Sequence, residues 1–427
     1  MARQKGHGGG RQRIIGVLDV GSSKICCLIA RAISGGVPGG GLPVQVIGFG
    51  HQRSDGIKSG TIVNMDAAEL AIRAAVDQAE QSAGVTLDEV YISVSCGRLK
   101  SDTFAASIAI AGNEVRSHDV ERLARAGWDY AARDGRAVLH CISTGYRLDE
   151  DTVISDPRGM LADRLSVDIH SVTADDLALK NLILCVERCH LAVAGAAAAP
   201  YASGLASVVK DEAQLGVTCI DMGAGTTTVS VFSEGQYIFC DAIALGGNHV
   251  TIDLARALST TLEAAERIKT LHGSVYATAS DDKESISFPN VGEESAPELN
   301  KVPRSQVAHL IQPRVEEILH TVRERLDAAG LASSAGQKVV VTGGASQLTG
   351  LTQFAGHVLG KSVRHGRPRA LRGLPERGIG PAFATAIGLL VYAQRPLAEL
   401  VPAAHGPYRG TGTGYLSRVG QWIRESF

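Results

Sequence analysis

The 427-residue sequence predicts an α/β fold of two related lobes, with a small α+β module inserted into the first lobe. A short apolar strand that ends in Asp and runs into a loop of small residues occurs twice, as LDVGSSK at 18–24 and IDMGAGTT at 220–227. Two further predicted strands and a helix follow each copy. Because only two copies exist and they lie far apart, they indicate two lobes rather than a solenoid.

The two copies predict matching elements in the same order. In the first lobe we expect strands at 14–19, 24–32 and 44–50, a hairpin loop at 34–41, and a helix at 66–82 with an apolar face. In the second lobe we expect strands at 216–221, 226–232 and 236–242 and a helix at 247–258. Residues 1–12 are mostly Gly, Arg and Gln, with almost nothing to bury, and are predicted to be disordered.

The stretch between the copies has a different pattern. It predicts a separate module without a glycine loop. We expect alternating strands at 91–96 and 104–112, a helix at 119–134 capped by Ser117 or Asp119, a strand at 137–146, and a polar loop at Asp156 and Pro157. A helix at 175–189 and an Ala-rich segment at 191–199 lead back to the first lobe. An acidic loop at 279–303, a long helix at 305–329 containing Pro313 and a closing helix at 380–393 complete the predicted core.

Composition limits the class of protein. The chain is long enough for roughly three domains, and its 44% hydrophobic and 20% charged content is that of a globular protein. A net charge of -2 argues against a general nucleic-acid binder. With no secretory signal and no apolar run of about 18 residues, we expect a cytoplasmic location.

The eight cysteines fall mostly in apolar runs without a C-x-x-C pair, which predicts reduced, buried thiols. Cys185, Cys189 and His190 could alternatively form part of a metal site, although such a trio on a helix is more often core and surface.

The two loops have the chemistry of phosphate binding. A strand end followed by small residues presents backbone N–H groups already oriented toward an anion. The candidate residues are Gly21, Ser22, Ser23 and Lys24 in the first loop and Gly223, Ala224, Gly225, Thr226 and Thr227 in the second. Asp19 and Asp221 would face each other and hold a hydrated Mg²⁺ through water, since Mg²⁺ keeps several waters. A single D-x-G could instead be only a tight turn.

Further glycines complete the candidate site. The strand KVVVTGG ends in Gly343 and Gly344, followed by Ala345, where the backbone could lie flat against a ribose or adenine. Gly246 and Gly247 open a helix and offer a further phosphate contact at its N-terminus. The chain contains neither a dinucleotide-binding G-x-G-x-x-G after its first strand nor a P-loop.

The order DVGSSK, DMGAGTT, VTGGAS resembles the phosphate-1, phosphate-2 and adenosine motifs of the actin, sugar-kinase and Hsp70 superfamily. More narrowly, stretches such as GVLDVGSSKICCLIA, LGVTCIDMGAGTTTVSVF and VVVTGGASQLTGL are similar to the FtsA family of bacterial cell-division proteins. The resemblance implies an actin-like two-lobed ATPase fold, with ATP and Mg²⁺ as ligands. It also implies that Glu266 and Lys269 lie beside the ribose and adenine; the alternative is an ordinary solvated helix face.

The resemblance also implies a subdomain plan. It comprises a disordered tail at 1–12, subdomain 1A at 13–87, 171–215 and 380–395, inserted subdomain 1C at 88–170, subdomain 2A at 216–250 and 336–379, subdomain 2B at 251–335, a linker at 396–414 and a membrane-targeting amphipathic helix at 415–427. The family's partners are the C-terminal peptide of FtsZ on 2B, later division proteins through 1C, and further copies of the chain in filaments.

The tail carries its own signal. Leu416, Val419, Trp422, Ile423 and Phe427 recur at helical spacing, and Arg418 and Arg424 lie near the boundary of that apolar stripe. Trp with basic residues on a short amphipathic helix is typical of a membrane interface, although such a helix can also pack on its own domain. The flexible linker before it and the family's similar tail favour peripheral attachment at the division site.

We therefore expect an ATP-binding protein that self-associates and anchors the FtsZ ring to the cytoplasmic face of the inner membrane. Relatives that hydrolyse ATP carry Gln, Glu or Asp on the segment joining the lobes, whereas residues 191–207 here carry none, so we expect weak or no hydrolysis. The alternatives are a PilM-like protein of type IV pilus assembly, which lacks such a tail, and a small-molecule kinase, which needs a catalytic carboxylate. An Hsp70-type chaperone would need a further substrate domain after residue 395.

Overall fold

The computed structural model of the chain describes residues 13–32, 44–96, 98–133, 135–149, 152–154, 156–292, 299–331 and 335–394. The predicted N-terminal tail, the hairpin loop at 34–41, the linker and the amphipathic helix lie outside the described residues. Among the helices of the described part, none is long and apolar enough to span a bilayer.

The elements follow in chain order. The strands are β1 (Ile14–Val20), β2 (Lys24–Ala32), β3 (Val44–Arg53), β4 (Ile57–Lys58), β5 (Thr61–Ile62), β6 (Glu89–Val94), β7 (Lys100–Glu114), β8 (Arg136–Leu148), β9 (Thr152–Ile154), β10 (Leu161–Asp175), β11 (Ala192–Ala198), β12 (Val217–Met222), β13 (Thr227–Ser233), β14 (Gln236–Ile243), β15 (Ser285–Phe288), β16 (Asn300–Pro303), β17 (Lys338–Thr342) and β18 (Ser362–His365). The α-helices are α1 (Met65–Ala83), α2 (Ser117–Ala131), α3 (Asp176–Arg188), α4 (Ala199–Ser207), α5 (Lys210–Leu215), α6 (Gly247–Leu258), α7 (Leu262–His272), α8 (Arg304–Ala328), α9 (Leu351–Leu359) and α10 (Ala384–Gln394).

Both lobes contain a five-stranded sheet of the same topology. The first sheet has the order β11-β6-β1-β2-β3 and the second the order β14-β13-β12-β17-β18. In each sheet β1 or β12 pairs antiparallel on the side of its own hairpin and parallel on the other side. The duplicated plan read from the sequence is therefore confirmed, and both Asp-ended strands, β1 and β12, are central.

The first lobe is held together by close packing of α1 on β3. Gly48 and Gly50 make it possible, because a Cβ at these positions would lie 2.4 Å from the Ala79 oxygen and 1.9 Å from the Ala75 oxygen. The helix begins at Asn64, whose side chain accepts from the Ala67 N–H, and it ends at Gly84 in the left-handed region. This packing fixes β2 and β3 behind the first loop.

The inserted module is a four-stranded sheet of order β7-β10-β8-β9 with α2 packed on it. Strand β6, by contrast, pairs with β1 and β11 in the first-lobe sheet. The predicted module boundary at residue 88 is therefore too early, and the module's strands run on to Asp175 rather than ending at 170. An alternating apolar strand reads the same in either sheet, so the sequence did not distinguish them.

The predicted cap of α2 also needs correction. Ser117 is the first helical residue and Arg116 is the N-cap, and the Asp119 side chain accepts from the Arg116 N–H at 3.0 Å. Asp119 thus satisfies a backbone donor from the third helical position.

The Ala-rich connector forms two elements. Residues 192–198 are the edge strand β11, and α4 follows with nearly all of its side chains buried. It crosses α10 so closely that a Cβ on Gly388 would lie 1.7 Å from the Ala202 oxygen. These two small-residue helices join the lobes directly behind the cleft.

In the second lobe, Pro313 lies inside α8 as predicted. The acidic loop contains the short hairpin β15–β16, and its residues 293–298 lie outside the described part.

Candidate nucleotide site

A cleft of about 1140 Å³ lies between the lobes, at the ends of β1 and β12. The structure brings most of the predicted nucleotide residues to its walls. The predicted residues that line it are Asp19, Gly21, Ser22, Ser23, Lys24, Asp221, Gly223, Ala224, Gly225, Thr226, Gly247, Glu266, Lys269, Gly343, Gly344 and Ala345. Gly246 and Thr227 do not line it.

The two loops have the same backbone geometry. The Gly21 N–H donates to the Lys24 oxygen at 3.1 Å, and the Gly223 N–H donates to the Thr226 oxygen at 2.9 Å. A Cβ on either glycine would lie 2.8 Å from that acceptor. Both positions therefore require glycine to close the turn, and their own N–H groups are used within it.

The amides that follow are available to a ligand. Among the described residues, the N–H groups of Ser22, Ser23, Ala224 and Gly225 have no protein acceptor. Unpaired, pre-oriented N–H groups at a strand-to-strand turn bind anions. The loops also touch each other, since a Cβ on Gly225 would lie 2.5 Å from Ser22 Oγ.

Each Asp is held by a hydroxyl group. Ser93 Oγ donates to Asp19 Oδ1 at 2.7 Å, and Thr385 Oγ1 donates to Asp221 Oδ2 at 2.9 Å. Burial raises the pKa of Asp19, partly offset by the Ser93 hydrogen bond and by Lys24. Burial also raises the pKa of Asp221 to about 6, although the Thr385 hydrogen bond opposes it. A second cation beside this pair would restore both charges.

Neither hydroxyl residue was identified from the sequence. Ser93 lies near the end of β6 and Thr385 in the first turn of α10, both far along the chain from the Asp that they contact. The sequence indicated only that Ser93 and Thr385 belong to a predicted strand and a predicted helix, and the structure packs these elements beside the Asp-ended strands.

Lys24 does not project freely into the cleft. Its ammonium group donates to the Ala382 oxygen and lies 3.8 Å from the centre of the Phe383 ring. Burial lowers its pKa, while attraction to Asp19 raises it. In this conformation Lys24 therefore connects the first loop to the segment that precedes α10 and partly neutralises the Asp19 and Asp221 carboxylates. It is not a free phosphate ligand.

The threonines that follow the second loop point alternately into the protein core and toward the cleft. Thr227 is fully buried and its hydroxyl donates to the Leu245 oxygen at 2.8 Å, so its predicted role toward a nucleotide is wrong for this conformation. Thr228 instead lines the cleft, is 4% exposed, and has a hydroxyl group without a partner. Side chains alternate along a strand, so Thr226 and Thr228 share one face.

The predicted phosphate contact at the start of α6 is also corrected. The Gly247 N–H donates to the Gly223 oxygen at 2.9 Å, and the Asn248 N–H donates to the Ala224 oxygen at 2.8 Å. The Gly246 N–H donates to His249 Nδ1 at 3.1 Å. The helix N-terminus thus supports the second loop, and these three amides are already used within the protein.

The far end of the cleft suits a nucleoside. Gly343 has φ of +89°, and a Cβ there would lie 2.3 Å from Asp221 Oδ1, so only glycine fits. On the opposite wall, Lys269 Nζ contacts Glu266 Oε2 at 2.6 Å and Thr251 Oγ1 at 2.8 Å. Apolar lining between these walls comes from Ile252, Leu271 and Leu348.

The possible metal trio is explained by packing. Cys185 is buried in the first-lobe core, and Cys189 lies beside it with its thiol directed at the Cys185 oxygen, 3.3 Å away. All eight cysteines are free thiols. Within the described ranges, no group of three or more His, Cys, Asp or Glu side chains is arranged to hold a metal ion.

Comparison with known proteins agrees with this geometry. The family model "Cell division protein FtsA" matches residues 218–388, and "SHS2 domain inserted in FTSA" matches residues 96–173, close to the observed span of the inserted module. A model for the type IV pilus assembly protein PilM matches residues 144–276. Curated relatives named cell division protein FtsA include one from Agrobacterium fabrum, 48% identical over 98% of this chain and 96% of its own, and one from Escherichia coli K12, 30% identical over 98% and 99%.

Solved structures show the fold. A PilM–PilN type IV pilus biogenesis complex aligns with a TM-score of 0.63 at 16% identity, covering 90% of this chain and 99% of that one. MreB5 of Spiroplasma citri bound to ADP aligns with a TM-score of 0.53 at 13% identity, covering 89% and 96%. The predicted actin-like two-lobed fold with its inserted module is confirmed.

Proposed function

The chain belongs to the FtsA family of cell division proteins, and we propose that it binds Mg²⁺-ATP, self-associates, and anchors the FtsZ ring to the cytoplasmic membrane. The observation that carries the nucleotide part is the pair of matching loops facing each other across one cleft. Their four amides without protein acceptors lie in the lining of the cleft and are donors that a phosphate chain can use.

ATP fits the rest of the cleft. The turn at Gly343 and Gly344 leaves room for a ribose, and the apolar stretch formed by Ile252, Leu271 and Leu348 suits a base. Lys269 and Glu266 supply a donor and an acceptor at its edge. One fold neighbour, MreB5, has been solved with ADP bound, which supports a nucleotide as the ligand.

Mg²⁺ fits the two carboxylates. Asp19 and Asp221 are acids whose pKa values are raised by burial, and the nearby Lys24 offsets this only in part. Bound as a hydrated ion, Mg²⁺ would supply positive charge to the phosphates, and the two aspartates would hold its waters. The unpartnered Thr228 hydroxyl beside them is a further polar group for that shell.

The nucleotide works as a conformational switch. The loops of the two lobes already touch at Gly225 and Ser22, so a phosphate chain bound to both fixes the angle between the lobes. The small-residue crossing of α4 and α10 lies behind the cleft, and we assign the change of that angle to it. If only one angle fits a filament, nucleotide binding selects the form that polymerises.

Hydrolysis is expected to be slow. The connector residue that lines the cleft is Ala199, whose methyl group cannot orient water. Absence of such a residue removes roughly 10²–10⁴-fold from the chemical step. A single-turnover assay with rapid phosphate release from pure protein would contradict this.

Membrane attachment depends on the tail at 415–427, and ring anchoring on binding of the FtsZ C-terminal peptide to subdomain 2B. One amphipathic helix is a weak anchor, so filaments that present many tails would strengthen it. Recruitment of later division proteins is assigned to the inserted module. The PilM alternative is weaker, because full-length relatives at up to 48% identity carry the FtsA name.

The test combines two measurements on the full chain. Isothermal titration with ATP, with and without Mg²⁺, should show a single site whose affinity rises with Mg²⁺. Vesicle flotation should show binding that the double variant Trp422→Glu, Ile423→Glu abolishes. No nucleotide binding would contradict the switch, and unchanged flotation of the variant would contradict the tail. A coupled assay with sugars and acetate that released ADP would instead favour a kinase.

A further inference from the structure

A basic segment connects the two lobes on the outside of the molecule. Between residues 361 and 372 the chain has five Lys and Arg and no Asp or Glu, although the whole chain has a net charge of -2. Arg364 is used internally, where it pairs with Glu212. We call residues 366–375, which follow β18, the strap.

The strap is bound tightly to both lobes. The Gly366 N–H donates to the Val341 oxygen, and the Arg369 N–H donates to the Ala206 oxygen. In the first lobe the Val46 N–H donates to the Arg372 oxygen at 2.8 Å, and a Cβ on Gly373 would lie 2.0 Å from the Val46 oxygen. The strap therefore covers the open edge of β3 and has a fixed position.

The side chains of the strap divide into two sets. Pro368 and Leu374 are buried, and Leu371 packs on the first-lobe core. Arg367, Arg369 and Arg372 are exposed. Within the described part of the chain, none of these three arginines has a carboxylate within ion-pair distance.

A fourth arginine extends the charged row. In the sheet register Arg31 of β2 lies opposite Gln45 of β3, and Gln45 in turn bridges to Arg372. Paired residues point to the same face, so Arg31 and Arg372 flank Gln45 on one side of the sheet. Arg372 and Arg31 thus lie together at the edge of the first lobe, and Arg367 and Arg369 precede Arg372 along the strap.

Arg31 and Arg372 lie toward the end of the first sheet opposite the cleft. Strand β1 runs from Ile14 to the cleft, and Arg31 pairs with Ile14. Helix α10 starts at the cleft, where Thr385 contacts Asp221, and runs back beneath the same sheet, so that Tyr392 packs on Tyr91. The described part of the chain thus ends at Gln394, heading away from the cleft.

We propose that Arg367, Arg369 and Arg372, with Arg31 beside them, form an electrostatic contact surface for the anionic headgroups of a lipid bilayer. The proposal rests on the proposed membrane attachment of the chain. Guanidinium groups recognise lipid phosphates through charge and paired N–H donors. Exposed cations on a segment whose backbone is held by both lobes suit a flat anionic surface, whereas an acidic peptide would need a groove to fix it.

The physical role is to supply the second signal that a single amphipathic helix lacks. Each Arg near an anionic surface contributes about 1 kcal/mol, so three contribute about 10²-fold in partitioning. The contribution falls with salt, because exposed charges are screened over about 10 Å at 0.1 M. It also orients the first lobe toward the bilayer, which attachment through the tail alone does not.

The test compares full-length chains on vesicles of phosphatidylcholine alone and of phosphatidylcholine with about a third phosphatidylglycerol, at about 50 mM and about 300 mM NaCl. The strap variant is Arg367→Gln, Arg369→Gln, Arg372→Gln. The matched control, Arg125→Gln, Arg256→Gln, Lys100→Gln, removes three exposed cations elsewhere. Thermal unfolding checks that both variants fold.

For the wild type and the control we expect binding to the anionic vesicles to exceed binding to the neutral ones by more than about 10²-fold at low salt, because Arg418 and Arg424 of the tail add to the three strap arginines. The strap variant should lose about 10²-fold of that increment and keep its binding to neutral vesicles. A strap variant that keeps the full wild-type increment overturns the proposal. An increment lost equally in the control also overturns it, since net charge would then suffice.

Failure of the proposed function gives a different result. If the tail does not bind membranes, neutral vesicles capture no wild-type protein, while a salt-sensitive increment on anionic vesicles that needs the strap still supports the strap surface. Sedimentation without lipid tests the remaining explanation, which is that the strap surface binds a second copy of the chain. If the strap variant loses self-association but keeps the lipid increment, the surface binds a second copy of the chain and the lipid proposal is wrong.

Discussion

Replacing Asp221 by Asn should make the ligand-free protein more stable and should reduce the stabilisation that Mg²⁺-ATP gives. Asp221 is a buried acid at the end of β12, held by Thr385 and pressed against Gly343. Burial raises its pKa from 3.8 to about 6. Asn keeps the shape and can still accept the Thr385 hydrogen bond, but it carries no charge.

The sign follows from proton binding. Because the folded chain holds the Asp221 proton more tightly than the unfolded chain does, folding stability falls as pH rises from about 4 to about 6. Above pH 6 the cost is complete, and two pKa units correspond to about 3 kcal/mol as an upper limit. The Asn variant avoids this cost, so at about pH 7.5 it should unfold at a higher temperature than the wild type.

Mg²⁺-ATP should narrow this difference. A ligand at about 100 times its Kd stabilises a folded chain by about 2.7 kcal/mol. The wild type should gain this with Mg²⁺-ATP, whereas the Asn variant should lose the Mg²⁺-dependent part, since it lacks the carboxylate that holds the ion's waters.

The assay is thermal unfolding at about pH 5 and about pH 7.5, with and without Mg²⁺-ATP. Asp77→Asn, at an exposed site on α1, is the matched control and should change neither quantity. The reasoning is refuted if Asp221→Asn is less stable than the wild type at the higher pH without nucleotide, or if Mg²⁺-ATP stabilises both equally.

Three further outcomes are expected. Gly225→Ala should force the loops apart, because its Cβ would lie 2.5 Å from Ser22 Oγ, and so weaken ATP binding in calorimetry; Gly380→Ala, with nothing within 4 Å, should not. Thr228→Val should weaken ATP binding without lowering the Tm. Thr227→Val should instead lower the free energy of unfolding by about 1 kcal/mol, because its hydrogen bond to the Leu245 oxygen is lost. Weaker ATP binding in Thr227→Val together with a lower Tm in Thr228→Val would reverse the assignment of the two hydroxyls. Thr385→Ala should raise the pH at which Mg²⁺-dependent ATP binding appears by about one unit, because a hydrogen bond to a carboxylate is worth about 1.5 kcal/mol or more. Thr385→Ser should restore the wild-type profile. An unchanged pH profile in Thr385→Ala would exclude Thr385 as the group that holds Asp221 ionised.

The duplicated lobes could be predicted from the sequence because both copies retain the same strand-loop-strand plan, and the structure repeats it in two sheets of one topology. The glycines at 21 and 223 were also predictable, since a tight turn leaves no room for a Cβ. Both features are local, and local sequence decides them.

The errors came from contacts that are distant in sequence. Nothing near Gly247 indicates that its N–H is taken by Gly223, or that β6 joins the first sheet rather than the module. The confusion of Thr227 with Thr228 was avoidable, because strand alternation places one inside and the other at the cleft. Ser93 and Thr385 reach the two aspartates only after the chain has folded.

We propose that a nucleotide held between the two loops fixes the angle between the lobes, and that the protein in this conformation forms filaments on a membrane. Electron microscopy of the full chain on lipid monolayers, with Mg²⁺-ATP, with Mg²⁺-ADP and without nucleotide, tests nucleotide, polymer and membrane together. We expect filaments on the lipid that depend on the bound nucleotide and that disappear in the Trp422→Glu, Ile423→Glu variant. Identical assemblies in all three nucleotide conditions, or filaments of that variant on the lipid, would contradict it.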